Sequence, residues 1–211
     1  MKVFPSLNCQ NYNCMRDGFE TLENIKPDGA HIDVSDGHFN SVVTWNEPEK
    51  IFKELVPQTF FVEAHLMVSE PKRFLRRWLG AGIERAIIHV ESDFVFEEMR
   101  QFCDQYNAEL GMAISPETSP NQILPYIDKV DMIQCLSVKP GYSGQKFNND
   151  IIGKIKFFRS QSSDVTIEVD GGVNKEVAKK VKKVGANLVV ANSYIFNQKN
   201  PKEAFKKLKK V

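Results

Sequence analysis

Ser6-Leu7-Asn8-Cys9-Gln10 is the segment that follows the first predicted strand, Val3–Pro5, and it contains no glycine. An open parallel sheet of the dinucleotide-binding type carries a glycine-rich turn at this point, with a partner acid about 20 residues further along the chain. The absence of glycine therefore favours the other arrangement of repeated strand–helix units, which is a closed barrel.

Strand and helix patterns alternate along the rest of the chain. Short apolar or β-branched runs predict these strands: Val3–Pro5, Ala30–Val34, Phe60–Leu66, Ala86–Val90, Glu109–Ile114, Met132–Leu136, Thr166–Val169 and Leu188–Ala191. Amphipathic stretches predict these helices: Met15–Asn24, Glu47–Leu55, Pro71–Ala81, Phe94–Tyr106, Asn121–Tyr126, Asn149–Ser160, Lys175–Val184 and Pro201–Leu208. The alternation predicts a parallel sheet of βαβ units. We therefore predict an α/β protein, a single-domain (β/α)8 TIM barrel over residues 1–211.

The composition argues against two classes of partner. Lys and Arg number 28 against 27 Asp and Glu, so the net charge of +1 predicts no nucleic-acid binding. No apolar run approaches the ~20 residues that span a bilayer, which predicts no membrane association. The chain starts without a charged and apolar leader, and this predicts a cytoplasmic protein.

The chain has four cysteines, and their spacing shows no C-x-x-C pair and no regular framework. They are Cys9, Cys14, Cys103 and Cys135. Such a pattern is typical of free thiols in a reducing compartment. We therefore expect free thiols rather than disulfides.

Polar side chains lie at the C-terminal ends of three predicted strands, where a buried parallel strand should be apolar. His31, Asp33 and Ser35 share one face of the second strand because they are spaced by two. His65 and Asp170 come at the ends of the third and seventh strands. Barrel enzymes place their active sites at this end. Two imidazoles and two carboxylates suit Zn²⁺, Fe²⁺, Mn²⁺ or Co²⁺.

Each member of this set, taken alone, is more simply explained as a buried and hydrogen-bonded polar residue. The occurrence of all four together at one barrel end favours a site for a divalent metal ion. His38 and His89 are weaker candidates, because His38 lies in a loop and His89 has no partner at ligand spacing.

Segments after strands six, seven and eight predict a phosphate site. They are Val138–Gln145, Asp170–Asn174 and Asn192–Ser193. Barrels commonly bind phosphate with the loops after strands seven and eight, through backbone N–H groups and a helix N-terminus. A turn with positive φ explains any single glycine equally well, but their position beside the predicted metal site favours phosphate binding.

The chain resembles the ribulose-phosphate 3-epimerase family from Pro5 to about Phe196. The blocks that carry the resemblance are Pro5–Leu7, His31–Asp33 with Asp36–Phe39, His65–Met67, Ser137–Val138 with Pro140–Phe147, and Glu168–Asn174. Their order, spacing and variety match the family. The resemblance implies a barrel of the ribulose-phosphate-binding type.

The resemblance also implies an isomerase of pentose phosphate metabolism, which converts D-ribulose 5-phosphate to D-xylulose 5-phosphate. It implies one divalent metal ion per chain, with ligands His31, Asp33, His65 and Asp170. Asp33 and Asp170 match the acid and base on opposite faces of the sugar, which act through an enediolate. The residues that match substrate-binding positions are Ser6, His65, Gly141, Tyr142, Ser143, Gly144, Asp170, Gly171, Gly172, Val173, Asn192 and Ser193. The resemblance further implies a homo-oligomer, either a dimer or a hexamer.

The sequence departs from the family pattern beside the sugar, because Ser35 and Leu136 stand where methionines are usual. These changes leave open a hexulose phosphate substrate, with allulose 6-phosphate and fructose 6-phosphate as the epimers. A decarboxylase or aldol-type barrel would carry a lysine at the position of Asp33. A non-catalytic sugar-phosphate-binding barrel would be expected to have lost a member of the metal set.

Overall fold

Eight parallel strands close into a barrel in the computed structural model, which describes residues 1–55 and 60–211. The strands are β1 (Lys2–Leu7), β2 (Gly29–Ser35), β3 (Phe61–Met67), β4 (Arg85–His89), β5 (Glu109–Ile114), β6 (Met132–Leu136), β7 (Thr166–Asp170) and β8 (Leu188–Ala191). The helices are α1 (Tyr12–Ile25), α2 (Pro48–Glu54), α3 (Pro71–Ala81), α4 (Phe96–Gln105), α5 (Ile151–Gln161), α6 (Lys175–Lys183), α7 (Ser193–Phe196) and α8 (Pro201–Lys209). Each predicted strand overlaps an observed one, and the predicted fold is confirmed.

Pairing between the first and last strands closes the barrel. Val3 of β1 lies opposite Val189 of β8, and each strand pairs in parallel with its neighbours in the sequence. Closure brings the C-terminal ends of all the strands to one end of the molecule. Side chains from β2, β3 and β7 therefore meet there, although they are far apart in the sequence.

The outer helices begin either at a residue whose side chain accepts a free N–H group of the first turn or at a proline, which has no N–H group. The side chain of Asn11 accepts the N–H of Cys14 at the start of α1, and Asn174 does the same for α6. Pro48 and Pro71 begin α2 and α3, where the missing N–H of proline has little cost. Across the described ranges, none of the helices combines the length and the apolar character needed to cross a bilayer.

One predicted helix is wrong. The segment Asn121–Tyr126 forms two short 3-10 turns, Pro120–Gln122 and Leu124–Tyr126, instead of an α-helix. Pro125 has no N–H to donate, and the chain takes tighter turns where the α-helical bond is missing. A four-residue helix that was not predicted, α7, follows β8.

The expectation of free thiols is wrong for two of the four cysteines. Cys9 and Cys14 form a disulfide across the turn between β1 and α1, with their Cα atoms 5.5 Å apart. Cys103 and Cys135 are free and buried. The turn that Asn11 caps places Cys9 and Cys14 within bonding distance. Sequence spacing alone does not predict this geometry.

The barrel interior contains ionisable side chains below its C-terminal end. Glu63 of β3 and Glu168 of β7 are fully buried, and Arg85 of β4 is 7% exposed. Arg85 Nη1 donates to Glu63 Oε2 at 2.6 Å, and its Nε donates to Glu109 Oε2 at 2.7 Å. Buried charge of this kind is costly unless it is paired, so the guanidinium links two carboxylates beneath the candidate site.

Candidate metal and substrate site

The four residues of the predicted metal set are brought together at the C-terminal end of the barrel. The β2–β3 register places Asp33 opposite His65, with His31 two residues before Asp33 on the same face. Asp170 ends β7. Each of the four offers one ligand atom, and these atoms all lie within 4.8 Å of one another. The structure therefore contains the cluster that strand spacing predicted.

The atoms of this cluster fit a metal ion. His31 Nε2 is buried and has no hydrogen-bond partner in the part of the chain that the structure describes, and it lies 3.4 Å from Asp33 Oδ1. His65 Nδ1 lies 3.1 Å from the same oxygen. Nitrogen and carboxylate atoms converge here, and that mixed donor set suits a first-row divalent ion.

A buried carboxylate, that of Glu63, holds the orientation of the His31 ring through its Nδ1 atom. Its Nδ1 lies 2.7 Å from Glu63 Oε1, so Nδ1 carries a hydrogen that it donates to the carboxylate. The other oxygen of Glu63 accepts from Arg85. A histidine held in this way turns its Nε2 towards the metal position. Sequence spacing singled out His31, but the role of Glu63 depends on the register between two strands.

His89 was considered a weak candidate, and the structure places it against the metal set. It is fully buried at the end of β4, and its Nε2 lies 2.8 Å from His65 Nε2. Burial lowers the pKa of His89 to about 4, so its imidazole is neutral at pH 7. The other weak candidate, His38, is an exposed loop residue.

The two aspartates of the cluster have pKa values shifted in opposite directions. Burial raises the pKa of the Asp33 carboxyl, but the adjacent imidazoles of His31 and His65 outweigh it and hold that pKa well below its usual range. Burial and the nearby charge of Asp33 raise the pKa of Asp170. Asp33 is thus held ionised, while Asp170 is more easily protonated than an ordinary aspartate, and such a difference between two carboxyls suits an acid and base pair.

A pocket opens beside the cluster, and it is bordered by Asp33 and by the residues predicted to bind substrate, with one exception. The bordering residues from that prediction are Ser6, Gly141, Tyr142, Ser143, Gly144, Asp170, Gly171, Gly172, Val173, Asn192 and Ser193. His65 is the exception, since it lies behind Asp33 among the buried residues. Three predicted phosphate-binding segments, one after each of β6, β7 and β8, thus share one pocket.

Close backbone contacts hold these segments together. Gly172 has a φ of +60°, and a Cβ on it would lie 2.4 Å from the backbone nitrogen of Phe147. Only glycine fits there, because backbone atoms cannot move aside as a flexible side chain can. Asn192 Nδ2 donates to the carbonyl of Ser6 at 2.7 Å, which ties the β8 segment to β1.

Asn8 is a pocket residue that sequence reasoning missed. It borders the pocket, and its Nδ2 donates to the carbonyl of Gly141 at 2.8 Å. This bond joins the turn after β1 to the loop after β6. Its position in the glycine-free turn that follows the first strand was the available signal.

Ser35 is buried beside the site but does not border the pocket, whereas Met67 does. The Ser35 hydroxyl accepts from Asn40 Nδ2 at 3.2 Å and lies 3.9 Å from Met67 Sδ. Met67 is the residue opposite Ser35 in the β2–β3 register. Met67 of β3, and not Ser35, therefore contributes a side chain to the pocket wall here.

A (β/α)8 barrel with a histidine and aspartate metal set, a pair of oppositely shifted carboxyls and a glycine-lined pocket has the features of a metal-binding enzyme. The sequence profile described as the Ribulose-phosphate 3 epimerase family matches residues 2–196. The chain belongs to this family of carbohydrate epimerases.

Curated relatives match nearly the whole chain. A ribulose-phosphate 3-epimerase of Chlamydia muridarum is 34% identical over 93% of this chain and 88% of the relative. That of Bacillus subtilis is 32% identical over 99% of this chain and 98% of the relative. That of Schizosaccharomyces pombe is 28% identical over 99% and 92%, respectively.

Solved structures show the same fold at lower identity. A 3-hexulose-6-phosphate synthase superposes with a TM-score of 0.74 at 16% identity, covering 100% of this chain and 99% of the other. A KGPDC from Streptococcus mutans in complex with D-R5P superposes with a TM-score of 0.77 at 14% identity, covering 99% and 95%. These likenesses concern the barrel alone.

Proposed function

We propose that this protein is a metal-dependent 3-epimerase that interconverts D-ribulose 5-phosphate and D-xylulose 5-phosphate. The observation that carries the proposal is the pair Asp33 and Asp170. Both belong to the metal-binding set, both border the pocket, and their pKa values are shifted in opposite directions. Curated relatives named ribulose-phosphate 3-epimerase support the choice of substrate.

The two carboxyl groups divide the proton transfers between them. Ionised Asp33 accepts the C3 proton on one face of the ketose, and neutral Asp170 delivers a proton to the opposite face, so C3 is inverted. In the reverse direction the two exchange roles. A single divalent ion per chain, Zn²⁺, Fe²⁺, Mn²⁺ or Co²⁺, held by His31, Asp33, His65 and Asp170, would supply Lewis-acid stabilisation of the enediolate, worth several kcal/mol.

The pocket beyond the carboxyls suits the remote phosphate. We assign phosphate and substrate binding to Gly141–Gly144, Gly171–Val173 and Asn192–Ser193, together with Ser6 at the sugar. Interactions with a group that does not react hold the reacting carbon between the two carboxyls. The shared pocket and the close backbone contact at Gly172 support this assignment.

Replacement of each aspartate by asparagine tests the proton transfers. Asp33→Asn and Asp170→Asn should each lower turnover of D-ribulose 5-phosphate by about 10²–10⁴-fold, because a positioned general acid or base contributes that much. The exposed Asp164→Asn serves as the control. In deuterated water the product should gain one deuterium at C3. Near-normal turnover in either variant would show that its carboxyl is not the acid or base.

The cytoplasmic location and the homo-oligomer, dimer or hexamer, stay predictions. Sedimentation equilibrium of the purified protein measures its oligomeric state directly. We also expect no binding to nucleic acid, because the net charge of the chain is only +1.

A further inference from the structure

His89 contacts the metal set without belonging to it. Its ring stacks on that of His65 with the centroids 5.0 Å apart, and Phe39 covers it with a centroid distance of 4.5 Å. The Nε2 atoms of the two histidines are 2.8 Å apart. One of these nitrogens must carry the hydrogen of this bond, and the other must accept it.

The hydrogen bond of the other His89 nitrogen, Nδ1, determines which of the two Nε2 atoms carries the hydrogen. His89 Nδ1 lies 2.9 Å from Glu91 Oε2, and Glu91 Oε1 accepts the backbone N–H of Ser115 at 2.8 Å. A carboxylate can only accept, so Nδ1 of His89 carries the hydrogen. In a neutral imidazole the other nitrogen, Nε2, is then the acceptor.

The tautomer of His89 determines that of His65. Because Nε2 of His89 accepts, Nε2 of His65 must donate, which leaves Nδ1 of His65 with a free lone pair. That lone pair faces Asp33 Oδ1 at 3.1 Å, which is also an acceptor. Two acceptors this close need a cation between them. The opposite tautomer would instead turn a lone pair of His89 towards the carboxylate of Glu91.

We propose that His89 and Glu91 are a positioning pair, which fixes the Nε2–H tautomer of His65 and thereby presents its Nδ1 to the metal. The inference rests on the proposed metal-dependent function. The two histidine ligands are then oriented by different partners, and they face the metal position through different ring nitrogens. Glu63 turns Nε2 of His31 towards the metal, and His89 with Glu91 turns Nδ1 of His65 towards it.

Metal affinity tests the pair without reference to activity. His89→Phe keeps the ring volume but removes the acceptor, while His89→Gln can still accept from His65 through its side-chain oxygen. Competition with a chelator should show Co²⁺ binding weakened by about 10–100-fold in His89→Phe, the usual effect of removing a partner of a ligand. It should be largely restored in His89→Gln. Glu91→Ala is a second variant, with the same direction of change expected.

Gln134→Met is the matched control, because Gln134 is fully buried in β6 and its amide atoms have no hydrogen-bond partner within residues 1–55 and 60–211. Its Co²⁺ affinity should equal that of the unaltered protein. Equal affinity in His89→Phe, with the unaltered protein binding Co²⁺ tightly, would overturn the pair and leave the proposed function standing. Failure of the unaltered protein to bind any metal would overturn the proposed function itself.

The tautomers can also be observed directly. The chain has four histidines, so a long-range ¹H–¹⁵N spectrum of the Zn²⁺-loaded protein is simple to assign with His89→Phe as a reference. We expect hydrogen on Nε2 of His65 and on Nδ1 of His89. Hydrogen on Nε2 of His89 would overturn the inference.

Discussion

Met67 forms part of the wall of the pocket that Asp33 and Asp170 also border. It borders the pocket together with Asp33 and Leu136, and it is 2% exposed. Met67→Ala should enlarge the pocket at this point. We expect the ratio of kcat/KM for a hexulose phosphate to that for the pentulose phosphate to rise about 10-fold, because a wall contact of this size is worth roughly 1–3 kcal/mol. Met112→Ala, at a buried methionine of β5 away from the pocket, is the control.

Ser35→Met distinguishes this assignment from its alternative. If Ser35 itself selected the sugar, a methionine there would move the ratio towards the pentulose. The Ser35 hydroxyl is instead engaged by Asn40 and Met67 and does not border the pocket. An unchanged ratio in Ser35→Met, together with a changed ratio in Met67→Ala, is the expected pair of results.

The cysteines differ in their reactivity. Burial raises the pKa of both Cys103 and Cys135 to about 12, so neither is a thiolate at pH 8. Cys9 and Cys14 are bonded to each other. Ellman's reagent should therefore find no thiol in the native protein, two after unfolding and four after unfolding with a reductant. Four reactive thiols in the unfolded, unreduced protein would show that the disulfide is absent.

Single residues could be predicted from the sequence when their signal lay within one strand. Spacing by two singled out His31 and Asp33, and position at a strand end singled out His65 and Asp170; these four residues do come together in the structure. The partner of His89 lies on a neighbouring strand, and its second contact, Glu91, lies beyond the strand end. Which nitrogen of which ring carries a hydrogen depends on register and distance, and the order of residues contains neither.

The connection between α5 and β7 depends on one side chain of α5. Arg159 donates to the carbonyls of Val165 and Gly185, at 3.0 and 2.9 Å, and to the side chain of Asn187 at 2.6 Å. Arg159→Met keeps the aliphatic stem but removes the donor to the carbonyls of Val165 and Gly185, while Asn187 Oδ1 still accepts from the backbone N–H of Ile167. We expect a loss of about 2 kcal/mol in the free energy of unfolding, since bonds to charged groups contribute roughly 1.5–3 kcal/mol.

Denaturant unfolding of Arg159→Met measures this loss. Arg16→Met is the matched control, because Arg16 is exposed and pairs with its neighbour Asp17, and exposed pairs contribute little. A loss of similar size in both variants would show that the guanidinium of Arg159 has no special role in the connection.

Strands and most helices were predictable because each needs only a local pattern. The helix predicted over Asn121–Tyr126 was wrong because one proline, Pro125, outweighed an otherwise helical composition. The disulfide was missed for a related reason, since the turn between β1 and α1, which Asn11 caps, brings Cys9 and Cys14 together. Both errors lie in connections, where geometry rather than periodicity decides.

Closure of the barrel is a property of the complete chain, and the site depends on it. β8 pairs with β1, and Asn192 bonds to the carbonyl of Ser6, so residues at opposite ends of the sequence share one pocket. The missing glycine after the first strand could favour a barrel over an open sheet. The alignment of three separate loops around one pocket required the closed structure.

A metal ion should stabilise the complete barrel, because its ligands come from β2, β3 and β7 and the unfolded chain cannot bring them together. At a metal concentration about 100 times Kd, the gain is about 2.7 kcal/mol. For a chain of this length that raises Tm by roughly 5–10 °C. His65→Ala should lose most of this rise, and thermal unfolding with and without Mn²⁺ measures it.

The rise in Tm should depend on pH in a defined direction. Burial lowers the pKa of His31, but the adjacent carboxylates of Asp33 and Glu63 outweigh this and raise that pKa well above the ordinary value. In the metal-free protein, the protonated His31 therefore contributes stability that is complete below the ordinary histidine pKa and is lost as the pH rises through the raised one. A metal ion must displace this proton, so at fixed Mn²⁺ concentration the rise in Tm should be smallest at pH 6 and increase through pH 7 and pH 8. A rise in Tm that is constant across this range, or largest at pH 6, would show that His31 does not exchange a proton for the metal.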